Sequence, residues 1–392
     1  SLLLGIGSAA NFSLALGEGK KERAGNFAGT GITSLIIAGF LIMIIGFLFM
    51  DPLIQLFGAT ADAYDYALEY VAITMFGLPF YVISCGGTHL IRADQSPRYA
   101  MVCVMSGALL NLILDPLFIF GFDMGIAGAA YATVIGQVVS GIMTLLYFKR
   151  FKTVKITRKL LRPRLDLLAR ISALGIAPCV NQLSMMVVQI ALNNVLTHYG
   201  KQSLYGPDIP LACVGVITKV NSILIMIMVG LAQGAQPIVG FNYGAKNYTR
   251  VKETLKKNIT AVVLISFFAF LSFQLLPRQI TSIFGNGSKE YYDFASQYFR
   301  VFLFFTFING LQPIAANFFT SIGKATKGLT VSVTRQLVFL LPLILILPIF
   351  FGIDGVLYAG PIADFVAFVL TVVFLVQQVR LMNHAIKNKE AI

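Results

Sequence analysis

Apolar runs long enough to cross a bilayer recur along the whole chain, and no other feature restricts its fold as severely. A helix of about 20 apolar residues spans a hydrocarbon core roughly 30 Å thick. Inside lipid every backbone N–H and C=O must find a partner within the protein, which helices achieve segment by segment. With 57% of residues hydrophobic and 12% charged, the chain reads as an all-α, polytopic membrane protein. The expected spans are 28–49, 70–91, 99–120, 125–148, 171–196, 210–240, 259–276, 298–322, 329–351 and 355–379. Residues 1–15 look like the end of a further helix, and Asp51-Pro52 is expected to stop the first full span.

The formal net charge is +13. Its distribution argues against a nucleic-acid partner, because Lys and Arg collect in short loops on alternate sides of the apolar runs, the pattern of cytoplasmic loops. The basic loops are 17–23, 92–98, 149–170, 241–258 and 323–328, with the tail from Arg380; the outer loops hold only Lys201, Arg278, Lys289 and Arg300. Segment 149–170 carries nine Lys or Arg and a break at Pro163, and is expected to lie against anionic lipid headgroups. This divides the chain into an N-terminal lobe (1–148), a basic cytoplasmic linker (149–169), a C-terminal lobe (170–380) and a cytoplasmic tail (381–392).

An internal repeat supports two lobes. Gly125-Ile-Ala-Gly128-Ala-Ala-Tyr131-Ala132 returns 227 residues later as Gly352-Ile-Asp-Gly355-Val-Leu-Tyr358-Ala359. Leu56-Phe-Gly58 returns as Ile283-Phe-Gly285 at the same offset, and Gly17 maps onto Gly244. Parallel repeats of this kind are common in secondary transporters. The second half begins near Arg170, so the intact protein is expected to have twelve spans, six plus six, with both termini inside. About ten and a half of them fall in this chain, as in an N-terminally truncated fragment.

Within this apolar chain Asp115 stands out, in Asn111-Leu-Ile-Leu-Asp115-Pro116. Carboxylates at membrane depth are costly and mark ion or substrate pathways. Asn111 sits one turn earlier on the same helical face. Pro116 has no N–H, so it cannot hydrogen-bond the Leu112 carbonyl. Two readings stand on these residues alone: a site for a hard cation or a proton, and a polar pair that hydrogen-bonds a neighbouring helix. The chemistry is not repeated, because 227 residues on, Asn111, Asp115 and Thr133 become Val338, Pro342 and Gly360.

Other polar residues in the spans are candidates for a substrate cavity: Lys219, Gln137, Asn181, Gln182 and Asp364, the last also a second titratable group. Arg335 and Gln336, near the inner end of their span, are expected to meet headgroups. Asp354 reads as a helix cap. Gly5-Ile-Gly7-Ser-Ala-Ala10 lacks the strand context of a dinucleotide fingerprint and reads as small-residue helix packing. Cys85, Cys103, Cys179 and Cys213 show no metal or redox spacing. His89, His198 and His384 are scattered, and no catalytic motif appears, so neither an enzyme nor a cofactor is expected.

The chain resembles the multidrug and toxic compound extrusion (MATE) transporters through essentially its whole length. The most specific pieces are Asn111-x-x-x-Asp115-Pro116, the 125–133 motif, and Gly230-Leu-Ala-Gln-Gly-Ala-Gln-Pro237-Ile-Val-Gly-Phe-Asn-Tyr-Gly-Ala245. The resemblance implies a V-shaped twelve-helix bundle in the plasma membrane, acting as a monomer. It implies export of organic, often cationic compounds in exchange for Na⁺ or H⁺ by alternating access. It also implies a first-lobe cation site built from an Asp on a first helix expected upstream of this chain, together with residues that correspond here to Asn111, Asp115, Thr133 and the Ala129 carbonyl. Some sodium-coupled members carry second-lobe acids where this chain reads Pro178-Cys-Val-Asn181-Gln182 and Asn309-Gly-Leu-Gln312, which favours first-lobe coupling. The alternatives are a flippase for lipid-linked saccharides, which would need a more basic cavity, and a passive channel, which would need a filter motif.

Overall fold

The computed structural model describes residues 1–56, 61–206, 208–285 and 287–390, and its regular elements are all helices among the described residues. Phe57 and Gly58, two of the three first-half residues of one repeat match, lie outside them. Among the described residues eight helices are long and apolar enough to cross a membrane, or ten when each of two bent pairs counts as one span. A shorter apolar helix, α1 (Leu2–Gly17), precedes them. Large apolar side chains are exposed along whole helix faces, Ile37, Leu41, Ile44, Ile45 and Leu48 on one helix alone. Such a surface is the solvated face of a protein whose solvent is lipid, so the chain is a multi-pass membrane protein.

Two compact units divide the chain, Ser1–Gly175 and Ile176–Ile392. The first holds α1, α2 (Lys21–Leu48), the short α3 (Met50–Leu56), α4 (Ala61–Met75), α5 (Leu78–Ala93), α6 (Pro97–Pro116) and α7 (Gly125–Phe148). It also holds the first turns of α8 (Leu165–Gly200). Its core gathers Phe12, Phe27, Leu90, Ile91, Tyr147, Phe148 and Ile171. The Gly5–Ala10 stripe serves packing: a Cβ on Gly5 would stand 2.5 Å from the Gly86 backbone, and one on Gly7 would meet the Ile171 carbonyl.

The second unit takes the rest of α8, then α9 (Asp208–Gly244), α10 (Tyr248–Leu275), α11 (Pro277–Ser282), α12 (Lys289–Val301) and α13 (Thr306–Asn309). After these come α14 (Leu311–Ser321), α15 (Ala325–Val333), α16 (Leu341–Phe351) and α17 (Ile353–Glu390). Leu196, Phe294, Tyr298, Phe299, Phe319 and Ile344 are buried at its centre. Each unit also contains a π-helical turn, Leu117–Gly121 after α6 and Thr334–Leu340 between α15 and α16.

Three sequence expectations are corrected here. Asp51-Pro52 does not end a helix; α2 stops at Leu48, and both residues sit in the first turn of α3, where a proline needs no N–H partner. The spans expected at 70–91 and 298–322 are not straight. Tyr64–Met75 meets Leu78–Ala93 at 56°, and Lys289–Val301 meets Thr306–Ser321 at 48°. The two breaks are repeat counterparts. Arg335 and Gln336 do not reach headgroups: each is only 7% exposed, held inside the second unit on the π-helical turn.

The basic segment after α7 is fastened down along its length. Asp94, fully buried in the α5–α6 turn, accepts hydrogen bonds from the Tyr147 hydroxyl (2.8 Å) and from the backbone N–H groups of Lys152 (2.6 Å) and Thr153 (2.9 Å). Further along, the Thr33 hydroxyl donates to the Leu161 carbonyl at 2.7 Å, and Leu160 packs on Gly29. The hydrogen bonds among these contacts connect positions from 53 to 128 residues apart in the chain.

Candidate functional site

Two glycines bring α6 and α7 into contact. A Cβ on Gly107 would lie 2.6 Å from the Gly136 carbonyl oxygen, and one on Gly136 equally close to that of Gly107. The Ser140 hydroxyl ties the helices further by donating to the Cys103 carbonyl. One turn beyond this crossing the chain places Asn111 on α6 and Thr133 on α7, and only because the backbones are so close can two short side chains meet. The Asn111 amide Nδ2 donates to the Thr133 hydroxyl at 3.3 Å and to Asp115 Oδ1 at 3.2 Å. Thr133 Oγ1 in turn donates to the Ala129 carbonyl at 3.0 Å. The four residues named from the sequence therefore form one hydrogen-bonded chain: Asp115, Asn111, Thr133 and Ala129.

Its chemistry is that of oxygen donors. Both Nδ2 hydrogens of Asn111 are committed, which fixes the amide as a bracket between helices. The second carboxylate oxygen of Asp115 and the Asn111 carbonyl keep lone pairs for another partner. Asp115 is half-buried and has no Lys or Arg ion-pair partner among the described residues. No group of three or more His, Cys, Asp or Glu is assembled among the described residues. One carboxylate with neutral oxygens suits a monovalent hard cation or a proton, whereas divalent ions favour several carboxylates. Pro116 lies in the last turn of α6 and the π-helical turn follows at once, so the backbone departs from regular α geometry beside the carboxylate.

The remaining sequence candidates lie elsewhere. Gln137 is one turn below Thr133 on α7, and its Oε1 atom is enclosed without a hydrogen-bond partner. On α9 of the second unit, Lys219 is exposed and makes no described hydrogen bond or ion pair. A Cβ built on Gly215 or Gly230, one and three turns away, would meet nothing within 4 Å. Asn181 is half-buried, with its amide 3.9 Å from the Met185 sulfur, and Gln182 is exposed. Asp364 lines no open space: it is 3% exposed, and Arg335 Nε donates to its Oδ1 at 2.5 Å. Asp354 lies in the first turn of α17, where its charge complements the helix dipole.

Sequence reasoning missed three elements. The Gly107–Gly136 crossing carried a signal, small residues on facing helices, but nothing in one sequence pairs them. The Arg335–Asp364 ion pair and the Asp94 clasp join residues far apart in the chain, and no local spacing announces either.

Known proteins agree with this architecture. The MatE family profile matches residues 1–117 and 178–346. The multidrug export protein MepA of Staphylococcus aureus is 24% identical over 363 residues, covering 92% of this chain and 78% of that protein. The MepA protein of Staphylococcus haemolyticus is 24% identical over 379 residues, 96% of this chain and 81% of its own. Among solved structures, the MATE multidrug transporter DinF-BH superimposes with a TM-score of 0.87 at 34% identity, covering 96% of this chain and 83% of that one. An outward-facing multidrug resistance MATE transporter of the MOP superfamily gives 0.89 at 24% identity, with coverage of 97% and 84%. With the family profile matching well over half of the residues, the chain belongs to the MATE family of membrane transporters.

Proposed function

We propose that the protein is a plasma-membrane multidrug exporter that drives organic, often cationic or amphiphilic compounds outward in exchange for Na⁺ or H⁺ bound at Asp115. The observation that carries the reading is the oxygen cluster of Asp115, Asn111, Thr133 and Ala129, with its carboxylate half-buried in a membrane-spanning pair of helices and without a Lys or Arg partner among the described residues. A carboxylate so placed is costly to keep charged, so a mobile cation or proton that neutralises it favours the helix arrangement that encloses it. Substrate and ion that favour different arrangements are then linked, each weakening the other's hold. Lys219, Asn181, Gln182 and Gln137 are the polar side chains available to transported compounds. The relatives' names, multidrug export protein and multidrug transporter, support the same substrate class.

The test is ethidium efflux from cells expressing the protein, driven by an imposed Na⁺ or pH gradient. Asp115→Asn is expected to lower ion-driven efflux at least tenfold while the protein remains folded in the membrane. Efflux that stays at the parent rate and keeps its ion dependence would overturn the coupling role.

A further inference from the structure

The amide of Gln137 occupies an unusual position. Its Oε1 atom is sealed from solvent and accepts no hydrogen bond. It rests in the break between α4 and α5, where the chain turns by 56°, against Gly77; a Cβ at Gly77 would collide with it. A carbonyl oxygen buried without a donor is among the costlier arrangements a protein interior can hold, and in native proteins it calls for a reason.

The internal repeat supplies one. At the 227-residue offset, Gln137 is the counterpart of Asp364, whose donor is the guanidinium of Arg335. The counterpart of Arg335 is Ala108, which has no polar side chain. The first unit therefore has an acceptor at this register without the cationic N–H donor that the second unit supplies from within. The acceptor also belongs to a neutral amide, which can stand unpaired without leaving a buried charge.

We propose that this missing donor is supplied by the transported compound, so that Gln137 selects substrates bearing N–H groups on a cationic nitrogen framework: protonated amines, amidines and guanidines. The amide has two positions. In one it is parked against Gly77 with its oxygen unpaired. In the other it is rotated away and accepts from the substrate's N–H. Gly77 has no Cβ because the parked oxygen occupies that volume. This inference rests on the export reading and names the substrate class for it.

The experiment measures equilibrium binding to the purified full chain in lipid nanodiscs without an ion gradient, so that it does not depend on coupling. Two probes are used: ethidium, which carries amino N–H groups, and tetraphenylphosphonium, a cation with none. Gln137→Leu is expected to weaken ethidium binding about tenfold, the size of a lost hydrogen bond to a cationic donor, and to leave tetraphenylphosphonium within twofold. Gly77→Ala, which blocks the parked position, is expected to tighten ethidium binding about threefold, and the gain should vanish in the Gln137→Leu background. Equal losses for both probes in Gln137→Leu, or a Gly77→Ala effect that survives without Gln137, would overturn the proposal and leave the export reading standing. If the parent protein bound neither probe, the export reading would fail and this inference with it.

Discussion

Asp115 and Asp364 are carboxylates carried within spans, one in each unit, and their surroundings differ in every respect that matters to a charge. Asp364 is closed off and permanently matched by Arg335 on the preceding span, an internal counter-ion that cannot leave. Asp115 is half-buried, held by an amide and, through it, a hydroxyl, and has no described ionic partner. The helix crossings differ in step. Where the first unit has Gly107 against Gly136, the same positions of the second are Thr334 and Ala363, both buried. Bare backbone contact lets Asn111 and Thr133 meet, whereas bulkier residues and a π-helical turn accompany a long guanidinium side chain at Arg335. The repeat-related helix pairs thus hold a closed ion pair in the second unit and a half-buried carboxylate with no described ionic partner in the first.

The largest effect should come from cutting the staple. Asp364→Asn leaves Arg335 charged and unmatched in the interior, and is expected to cost about 3–5 kcal/mol, read as a lowered Tm in detergent. Replacing both partners, Arg335→Met with Asp364→Leu, should return stability to near that of the parent, because an apolar pair needs no desolvated charge. Asp115→Asn should leave Tm nearly unchanged, and an equal loss there would erase the contrast between the units. Next in size is Gly136→Ala, whose methyl would collide with the Gly107 carbonyl. It is expected to cost about 1–3 kcal/mol and to lower ion-driven efflux by separating Asn111 from Thr133. If Gly136→Ala were silent in both assays, the close crossing would not be what builds the site. The smallest change is Thr133→Val, which keeps the shape and removes the hydroxyl. A stability loss of about 1 kcal/mol and a severalfold weaker ion dependence of efflux are expected.

Much of this was legible in the sequence, for identifiable reasons. Spans show because lipid imposes a length and a polarity on every helix. The cluster of Asp115, Asn111 and Thr133 showed because polar residues one turn apart are conspicuous in an apolar run, and because a family resemblance joined the two helices. The bend at residues 76–77 had a signal that was passed over, Gly77 in the break and Pro79 in the first turn of α5, whereas the bend at 302–305 falls in an apolar stretch with neither glycine nor proline. Arg335 was misread because a cation near a helix end ordinarily snorkels outward, and only the fold shows a carboxylate 29 residues away within its reach. The unpaired oxygen of Gln137 is a property of three-dimensional enclosure, which spacing along one chain does not encode.

Segment 149–170, with nine Lys or Arg, would be an obvious substrate for a trypsin-like protease if it were loose. Cleavage needs a stretch of backbone freed from its hydrogen bonds, and the buried carboxylate of Asp94 holds the N–H groups of Lys152 and Thr153 for as long as the first unit stays folded. The clasp thereby makes the basic segment as durable as the unit it is fastened to. In a cell, its loss would register first as a shorter lifetime of the protein.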